Sequence, residues 1–360
     1  MVRARRLEML DASEDASKGM TTQPVNSMQD HEDIQVTEIK DDGGSCLVIQ
    51  KSFSLDKPYN DDRLFAVTKN RLKRNVCMIK GIGPQTRQKL KKKLVRGIAD
   101  LVYSARRSWR QQASELLAWI EKRQVAKLLE TRRAKLIDLM YCFSPEKVAY
   151  IDIETTGFID ARIFAIAIGL IRPAENVFTV VQFLAREYQE EITILQKACE
   201  FLQEFDCIVS FNGKAFDLPM IRDRSWYFFG ANASELDLYH VDLMHDARRM
   251  LGLKNRAPLS FYEKDILGIH RPLDVPSSAI PGIYMTFVDG GNGDAFTRFL
   301  LSRSHHDAAV LPNDILGYDE TVEALALTGM VRVIYHNMLD VKTLHDLIVH
   351  LLEHPFKANR

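Results

Sequence analysis

An α/β fold is what this sequence predicts: a mixed five-stranded sheet flanked by helices over residues 146–360, preceded by a smaller basic helical module over residues 69–140. Three observations carry it. From Val148 onward, short runs rich in β-branched and aromatic residues alternate with amphipathic stretches of helical period. Between 69 and 140 the apolar positions recur at helical spacing, with Gly81, Gly83, Pro84 and Gly97 as the only punctuation. The charge is also segregated. Net charge is zero, yet residues 1–68 hold 8 Lys/Arg against 13 Asp/Glu, residues 69–135 hold 20 against 4, and residues 136–360 hold 20 against 31. A basic block beside an acidic one fits a phosphate-holding module next to a carboxylate-rich domain, although a pair of solvated basic helices has the same composition.

At 360 residues more than one domain is expected. The cysteines, Cys46, Cys77, Cys142, Cys199 and Cys207, are odd in number and form no C-x-x-C pair. Neither a zinc knuckle nor a disulfide framework is indicated, which points to a reducing compartment. No stretch reaches the roughly 18 apolar residues of a membrane span, and the first residues lack the apolar core of a signal peptide. The expectation is a soluble, cytoplasmic protein with no membrane partner. The absence of a G-x-x-x-x-G-K-[ST] phosphate loop argues against an ATP-driven motor.

In chain order, residues 1–40 are polar without sustained periodicity and read as a disordered tail. Residues 41–68 contain a short β segment, because Cys46, Val48, Ile49, Phe53 and Leu55 alternate well enough for one or two strands before Pro58. In 69–140, Leu116, Leu117, Ile120, Val125, Leu128, Leu129, Leu136 and Leu139 recur near helical spacing, as a core stripe or the inner face of a helical hairpin. Strands follow at Val148–Ile153, Ile163–Ile171, Val177–Phe183 and Cys207–Phe211, with a helix over Glu187–Phe205 and a fifth strand over Leu236–Asp242. Asp242 is placed to cap a helix from Leu243 to Leu251, and Ser260 to begin another. Gly290-Gly291-Asn292-Gly293 and 302–317 read as loops, and the last helix runs from about Gly329 to Leu352. Three strands joined by short turns, then a helix and further strands, imply a sheet antiparallel at one edge and parallel beyond the crossover.

Four carboxylates stand out. Asp152 and Glu154, in Asp152-Ile153-Glu154-Thr155-Thr156-Gly157, are two apart at the end of an apolar strand and project from the same face. Adjacent carboxylates repel unless a cation compensates them. Asp217 closes Asn212-Gly213-Lys214-Ala215-Phe216-Asp217, a bend at the carboxyl end of a strand leading into a helix, where a plain N-cap is the competing reading. Asp340 lies one helical turn after His336 in His336-Asn337-Met338-Leu339-Asp340, on one edge of an apolar stripe. His305-His306-Asp307 is a weaker metal candidate in a loop-like segment.

These motifs, with His240-Val241-Asp242-Leu243 and Arg248, resemble the DEDD superfamily of exonucleases, within it the YprB-like branch of the ribonuclease H-like fold, over about residues 146–352. The resemblance implies a 3′–5′ exonuclease acting on DNA or RNA with two Mg²⁺ or Mn²⁺ ions. Asp152 would bridge the ions, Glu154 and Asp340 complete one site, and Asp217 hold the other. His336 would be the general base, and Thr155, Asn212 and Lys214 would position the nucleic acid. The spacing departs from the pattern: the histidine subclass has its base five residues before the last Asp and the tyrosine subclass four, whereas here Tyr335 is five before and His336 four before. Tyr335 is therefore the reserve candidate. A structure-specific endonuclease or a non-catalytic nucleic-acid-binding scaffold protein are the alternatives.

In the basic block, Ile79-Lys80-Gly81-Ile82-Gly83-Pro84-Gln85-Thr86 resembles the hairpin of a helix-hairpin-helix motif, with Gly97-Ile98-Ala99-Asp100-Leu101 as the start of a partner helix. The resemblance implies sequence-independent backbone binding through Lys80, Gly81, Gly83 and Thr86, assisted by Lys91, Lys92 and Lys93.

Overall fold

The computed structural model describes residues 34–41, 44–55, 61–233, 236–271, 274–303 and 322–353. The strands are β1 (Ile34–Asp41), β2 (Gly44–Ser54), β3 (Val148–Thr155), β4 (Ile163–Arg172), β5 (Val177–Leu184), β6 (Cys207–Ser210) and β7 (Tyr239–Asp242). They form one seven-stranded sheet in the order β1-β2-β5-β4-β3-β6-β7. β3 is central, antiparallel to β4 and parallel to β6, which is in turn parallel to β7. The mixed sheet flanked by helices is the expected α/β architecture.

Two of the seven strands were not expected in this sheet. β2 pairs antiparallel with β5, from Leu47 opposite Leu184 to Ser54 opposite Val177, and β1 pairs with β2 outside it. The stretch expected as a tail therefore contains a strand from Ile34, while residues 1–33 lie outside the described residues. β1 hides because its apolar residues Ile34, Val36 and Ile39 break strict alternation between charged neighbours. Its outer edge is unpaired within the sheet, where polar residues keep a strand from recruiting another.

The strand pair is pinned by Arg186, in the turn after β5. Its guanidinium donates to Glu38 on β1, to Ser45 Oγ on β2 at 3.1 Å, and to Glu190. It also reaches Thr297 Oγ1 at 3.0 Å. Ser45 Oγ donates to Glu190 at 2.7 Å, closing the ring.

The N-terminal helices are α1 (Asp61–Arg74), α2 (Pro84–Lys92), α3 (Arg107–Glu121) and α4 (Val125–Glu130). Short 3₁₀ turns join them, including one over Ala99–Tyr103 where a partner helix was expected. They enclose a second, smaller core built around Leu72, Ile79, Ile98, Leu116, Ile120 and Leu128. α2 contributes no buried residue, so its lysines all face solvent.

In the sheet region, α5 (Glu191–Leu202) packs on β2, β4 and β5. α6 (Asp217–Phe229) follows β6, and α7 (Leu243–Met250) follows β7, capped by Asp242 accepting the Met244 N–H at 3.2 Å. A short α8 (Leu259–Phe261) runs into a π-helical turn over Tyr262–Leu267. α9 (Ile280–Asp289) and α10 (Gly293–Arg303) follow, in a region with no clear sequence period. The long α11 (Val322–Glu353) lies across β3, β4 and β5. It begins before the expected Gly329. Its close approach depends on Gly169 of β4, where an added Cβ would come within 2.6 Å of Val341 Cγ1 and 2.4 Å of the Phe178 ring.

Candidate active site

β3 presents Asp152 and Glu154 toward α11, opposite Ala167 and Ala165 of β4, whose small side chains leave room. The register shifts between Glu154 and Thr155, a local irregularity that ends regular pairing where the carboxylates emerge. Asp152 Oδ2 accepts the Asn337 amide N–H at 2.7 Å, and Asn337 Oδ1 in turn accepts from Gln182 Nε2 of β5 at 2.6 Å. Asn337 is wholly buried, so this chain fixes the Asp152 carboxylate against α11.

Asp217 arrives by a turn with little tolerance. Asn212 adopts a left-handed backbone, φ 65°, which Asn accepts more readily than most residues. A Cβ on Gly213 would fall 2.3 Å from Ser210 Oγ and 3.3 Å from Asp217 Oδ2. Asp242 of β7 holds the bend, accepting the N–H groups of Asn212 at 2.9 Å and Lys214 at 3.2 Å. Asp217 itself is buried and accepts from its own N–H and that of Ile153, which brings it against β3.

α11 supplies His336 and Asp340. His336 Nδ1 is 2.5 Å from Asp274 Oδ1, and Nε2 is 3.5 Å from Asp340 Oδ2. Asp340 Oδ1 is 2.7 Å from Arg271 Nη1. Tyr335, the reserve base, turns elsewhere, with its ring 5.6 Å below Lys51 Nζ of β2.

Asp152, Glu154 and Asp217 are each raised by burial and by neighbouring carboxylates. Burial, then the charges of Asp340, Asp217 and Glu154, hold the Asp152 carboxyl well above its usual range. Burial pushes Glu154 up to about 8, with Asp340 and Asp217 adding and His336 opposing. Burial pushes Asp217 up to about 7, helped by Asp242 and Asp340 and opposed by its backbone donors. For His336, burial pulls down, but the Asp274 hydrogen bond and the charges of Asp340 and Glu154 outweigh it and bring the imidazole to about 9. The ring therefore holds its proton at neutral pH, and only offsetting the carboxylate charge releases Nε2 as a base.

These directions predict how stability varies with pH. Asp217 and Glu154 bind protons more tightly folded than unfolded, so the folded state loses stability as pH rises through about 7 and 8. His336 also has its folded value raised, and loses its contribution on the way to about 9. His240 and His345, pulled down mainly by burial, act the other way, but only while the unfolded chain still sheds imidazole protons near the ordinary value, so their opposition fades soon above about pH 6.5. Chelator-treated protein is thus expected to melt several degrees lower at about pH 8.5 than at about pH 6.5. A flat or rising melting temperature would contradict the reading of the cluster as unneutralised.

The chemistry of the donor set suits a divalent cation: Asp152, Glu154 and Asp217 are hard oxygen ligands near enough for their charges to act on one another, and none is ion-paired with Lys, Arg or His among the described residues. Among those residues, no three His, Cys, Asp or Glu side chains converge as a formed metal cage. Asp152 is held by Asn337, Asp217 by the Ile153 N–H and Asp340 by Arg271.

Of the residues expected to touch nucleic acid, Lys214 is exposed beside the site, while Asn212 serves through its backbone. Thr155 is buried and donates its hydroxyl to the Gly157 carbonyl at 2.7 Å, shaping the following loop. That loop exposes Phe158 and Ile159, each 87 % accessible, and the Phe158 ring meets Phe216 edge-on at 5.8 Å between centroids. In the basic block, Lys80, Gly81, Lys91, Lys92 and Lys93 are exposed, and Gly83 and Thr86 half-buried. Gly83 is the N-cap of α2, and Gly81 has φ 90°. A cleft of about 700 Å³ opens between the 77–83 hairpin, α3 and α4. His305, His306 and Asp307 lie outside the described residues.

Asp274, Arg271, Asn337 and Gln182 were not singled out by the sequence. Asn337 sits inside a motif already recognised, and its helical position on the side of His336 and Asp340 was the available signal. Arg271 and Asp274 had none, because they lie in an irregular segment after the π-helical turn.

Residues 149–308 match the RNase_H superfamily. That span holds Asp152, Glu154, Asp217, Arg271 and Asp274, but not α11. The chain is also similar to an uncharacterised protein, YprB, of Bacillus subtilis strain 168, with 32% identity over 171 residues. The shared region is 46% of this chain and 39% of that protein, so the chain spans about two fifths of that relative's length. Sheet order, flanking helices and the superfamily match agree on a ribonuclease H-like fold.

Proposed function

We propose that this protein is a divalent-metal-dependent nuclease, a 3′–5′ exonuclease that hydrolyses phosphodiester bonds of DNA or RNA. The observation that carries the reading is the gathering of Asp152 and Glu154 of β3, Asp217 of α6 and Asp340 of α11, close enough that the Asp340 charge acts on each of the other three. When bound, Mg²⁺ or Mn²⁺ supplies Lewis-acid polarisation of phosphoryl oxygens and a more acidic water. Asp152, Glu154 and Asp217 hold the cation. Asn337 and Asp242 keep two of these carboxylates in position, one directly and one through the 212–214 turn. Asp274 fixes the His336 ring by its Nδ1, leaving Nε2 on the Asp340 side to take a proton from the attacking water. Phe158 and Phe216 offer stacking faces for bases and Lys214 a cation for phosphate.

The test is digestion of end-labelled DNA and RNA, single- and double-stranded, with MnCl₂ or with chelator. Products shortening from the 3′ end only with metal are expected, and circular substrates should survive. Cleaved circles would indicate an endonuclease, and no cleavage of any substrate would leave a binding protein.

The exposed lysines of α2 support a separate grip on the sugar-phosphate backbone. Changing Lys91, Lys92 and Lys93 together to Gln is expected to weaken binding about tenfold or more near 0.1 M salt and to reduce the salt slope by about 2 to 3. Fluorescence anisotropy at several salt concentrations measures both, and an unchanged slope would take α2 off the contact surface.

A further inference from the structure

The two halves of the carboxylate cluster differ in their compensation. Asp340, Glu263 and Asp274 are ion-paired: Arg271 Nη1 is 2.7 Å from Asp340 Oδ1 and 3.9 Å from Asp274 Oδ2, and Nη2 donates to Glu263. His336 Nε2 faces the other oxygen of Asp340 at 3.5 Å. Asp152, Glu154 and Asp217 have no ion pair at contact distance among the described residues; the His336 charge acts on Glu154 without touching it, and Asp152 and Asp217 are met by neutral donors, an amide and backbone N–H groups.

Arg271 is not a surface side chain reaching inward. It is 7% exposed, and it also donates to Thr343 Oγ1 at 3.2 Å and to the His336 carbonyl at 3.3 Å. Leaving Asp340 would mean abandoning Glu263, itself 8% exposed, and a buried carboxylate without a partner is costly. The guanidinium is therefore built in. Both oxygens of Asp340 face a protein cation or an imidazole, and a metal ion bound there would sit against a fixed positive charge at contact distance.

We propose that Arg271 is the second cation of this site: it occupies Asp340 in place of a second metal ion, so the chain holds one divalent ion, on Asp152, Glu154 and Asp217. The proposal rests on the divalent-cation reading above and departs from the two ions that the sequence resemblance implies. The substitution has chemical consequences. A guanidinium offers planar N–H donors to a phosphoryl oxygen and stabilises negative charge there, but it does not make water more acidic. A single ion would supply the acidity of the water, and His336 Nε2 would accept its proton.

Mn²⁺ bound to the full chain, counted by calorimetry and by electron paramagnetic resonance on the same samples, tests this. The expected result is one ion per chain with the spectrum of an isolated Mn²⁺, lost in Asp152→Asn. The double variant Arg271→Gln with Glu263→Gln removes the guanidinium without leaving Glu263 charged and unpaired, and is expected to bind two ions with an exchange-coupled spectrum. Two ions in the wild type overturn the proposal, as does a count of one in the folded double variant. If that variant does not fold, the wild-type count and spectrum decide alone. No bound Mn²⁺ in folded wild type would remove the divalent-cation reading and the proposal with it, an outcome distinct from a count of two.

Discussion

Asp152→Asn is expected to lower metal-dependent phosphodiester hydrolysis by about 10³-fold while leaving nucleic-acid affinity nearly unchanged. The substitution keeps shape and the hydrogen bond, since an asparagine carbonyl accepts from Asn337 as the carboxylate does. It removes one charge from the centre of a group of four, the one that feels all three others. The metal-free protein should therefore become more stable, because a buried like-charge repulsion is relieved. Lost activity together with a raised melting temperature separates loss of a metal-holding group from simple damage to the fold. Full activity would remove Asp152 from the site, and a lowered melting temperature would mean that its charge is already compensated.

The second large effect concerns the sheet edge. Arg186→Met is expected to cost about 3 kcal/mol or more, the typical result of removing one partner from a buried ion pair. Glu190 is 7% exposed and would lose the guanidinium that neutralises it, while Glu38 and Ser45 would lose their link to the turn after β5. Burial alone would lower the Arg186 value, yet its bonds to Glu190 and Glu38 hold it above the ordinary range, as expected for a cation fixed by its partners. Chemical denaturation measures the loss, and adding Glu190→Gln should recover part of it. A change below about 0.5 kcal/mol would show that β1 and β2 are held by their ladder and apolar face alone.

The five strands from β3 to β7 were legible because Val148–Ile153, Ile163–Ile171 and Val177–Phe183 are short β-branched runs with clean turns between them. β1 and β2 were not assigned to the sheet because pairing with β5 is a contact across more than a hundred residues, and periodicity carries only local information. α9 and α10 have the same difficulty: α9 buries Ile280, Tyr284 and Phe287 against α11 and β3, and α10 packs on β1, contacts that only the folded chain makes. Within the site, Asp152, Glu154, Asp217, His336 and Asp340 could be named from motif spacing. The partners that set their charge could not. Arg271 reaches Asp340 from a segment with no helix or strand pattern, and only the folded chain brings the two together.

Thermal melting of wild type and Asp152→Asn at about pH 8, each with chelator and with MnCl₂, tests the central claim most directly. Binding to the native state alone must raise apparent stability. The carboxylate cluster predicts a rise of several degrees with Mn²⁺ in the wild type and little or none in the variant. No rise in the wild type, or the same rise in both, would contradict it.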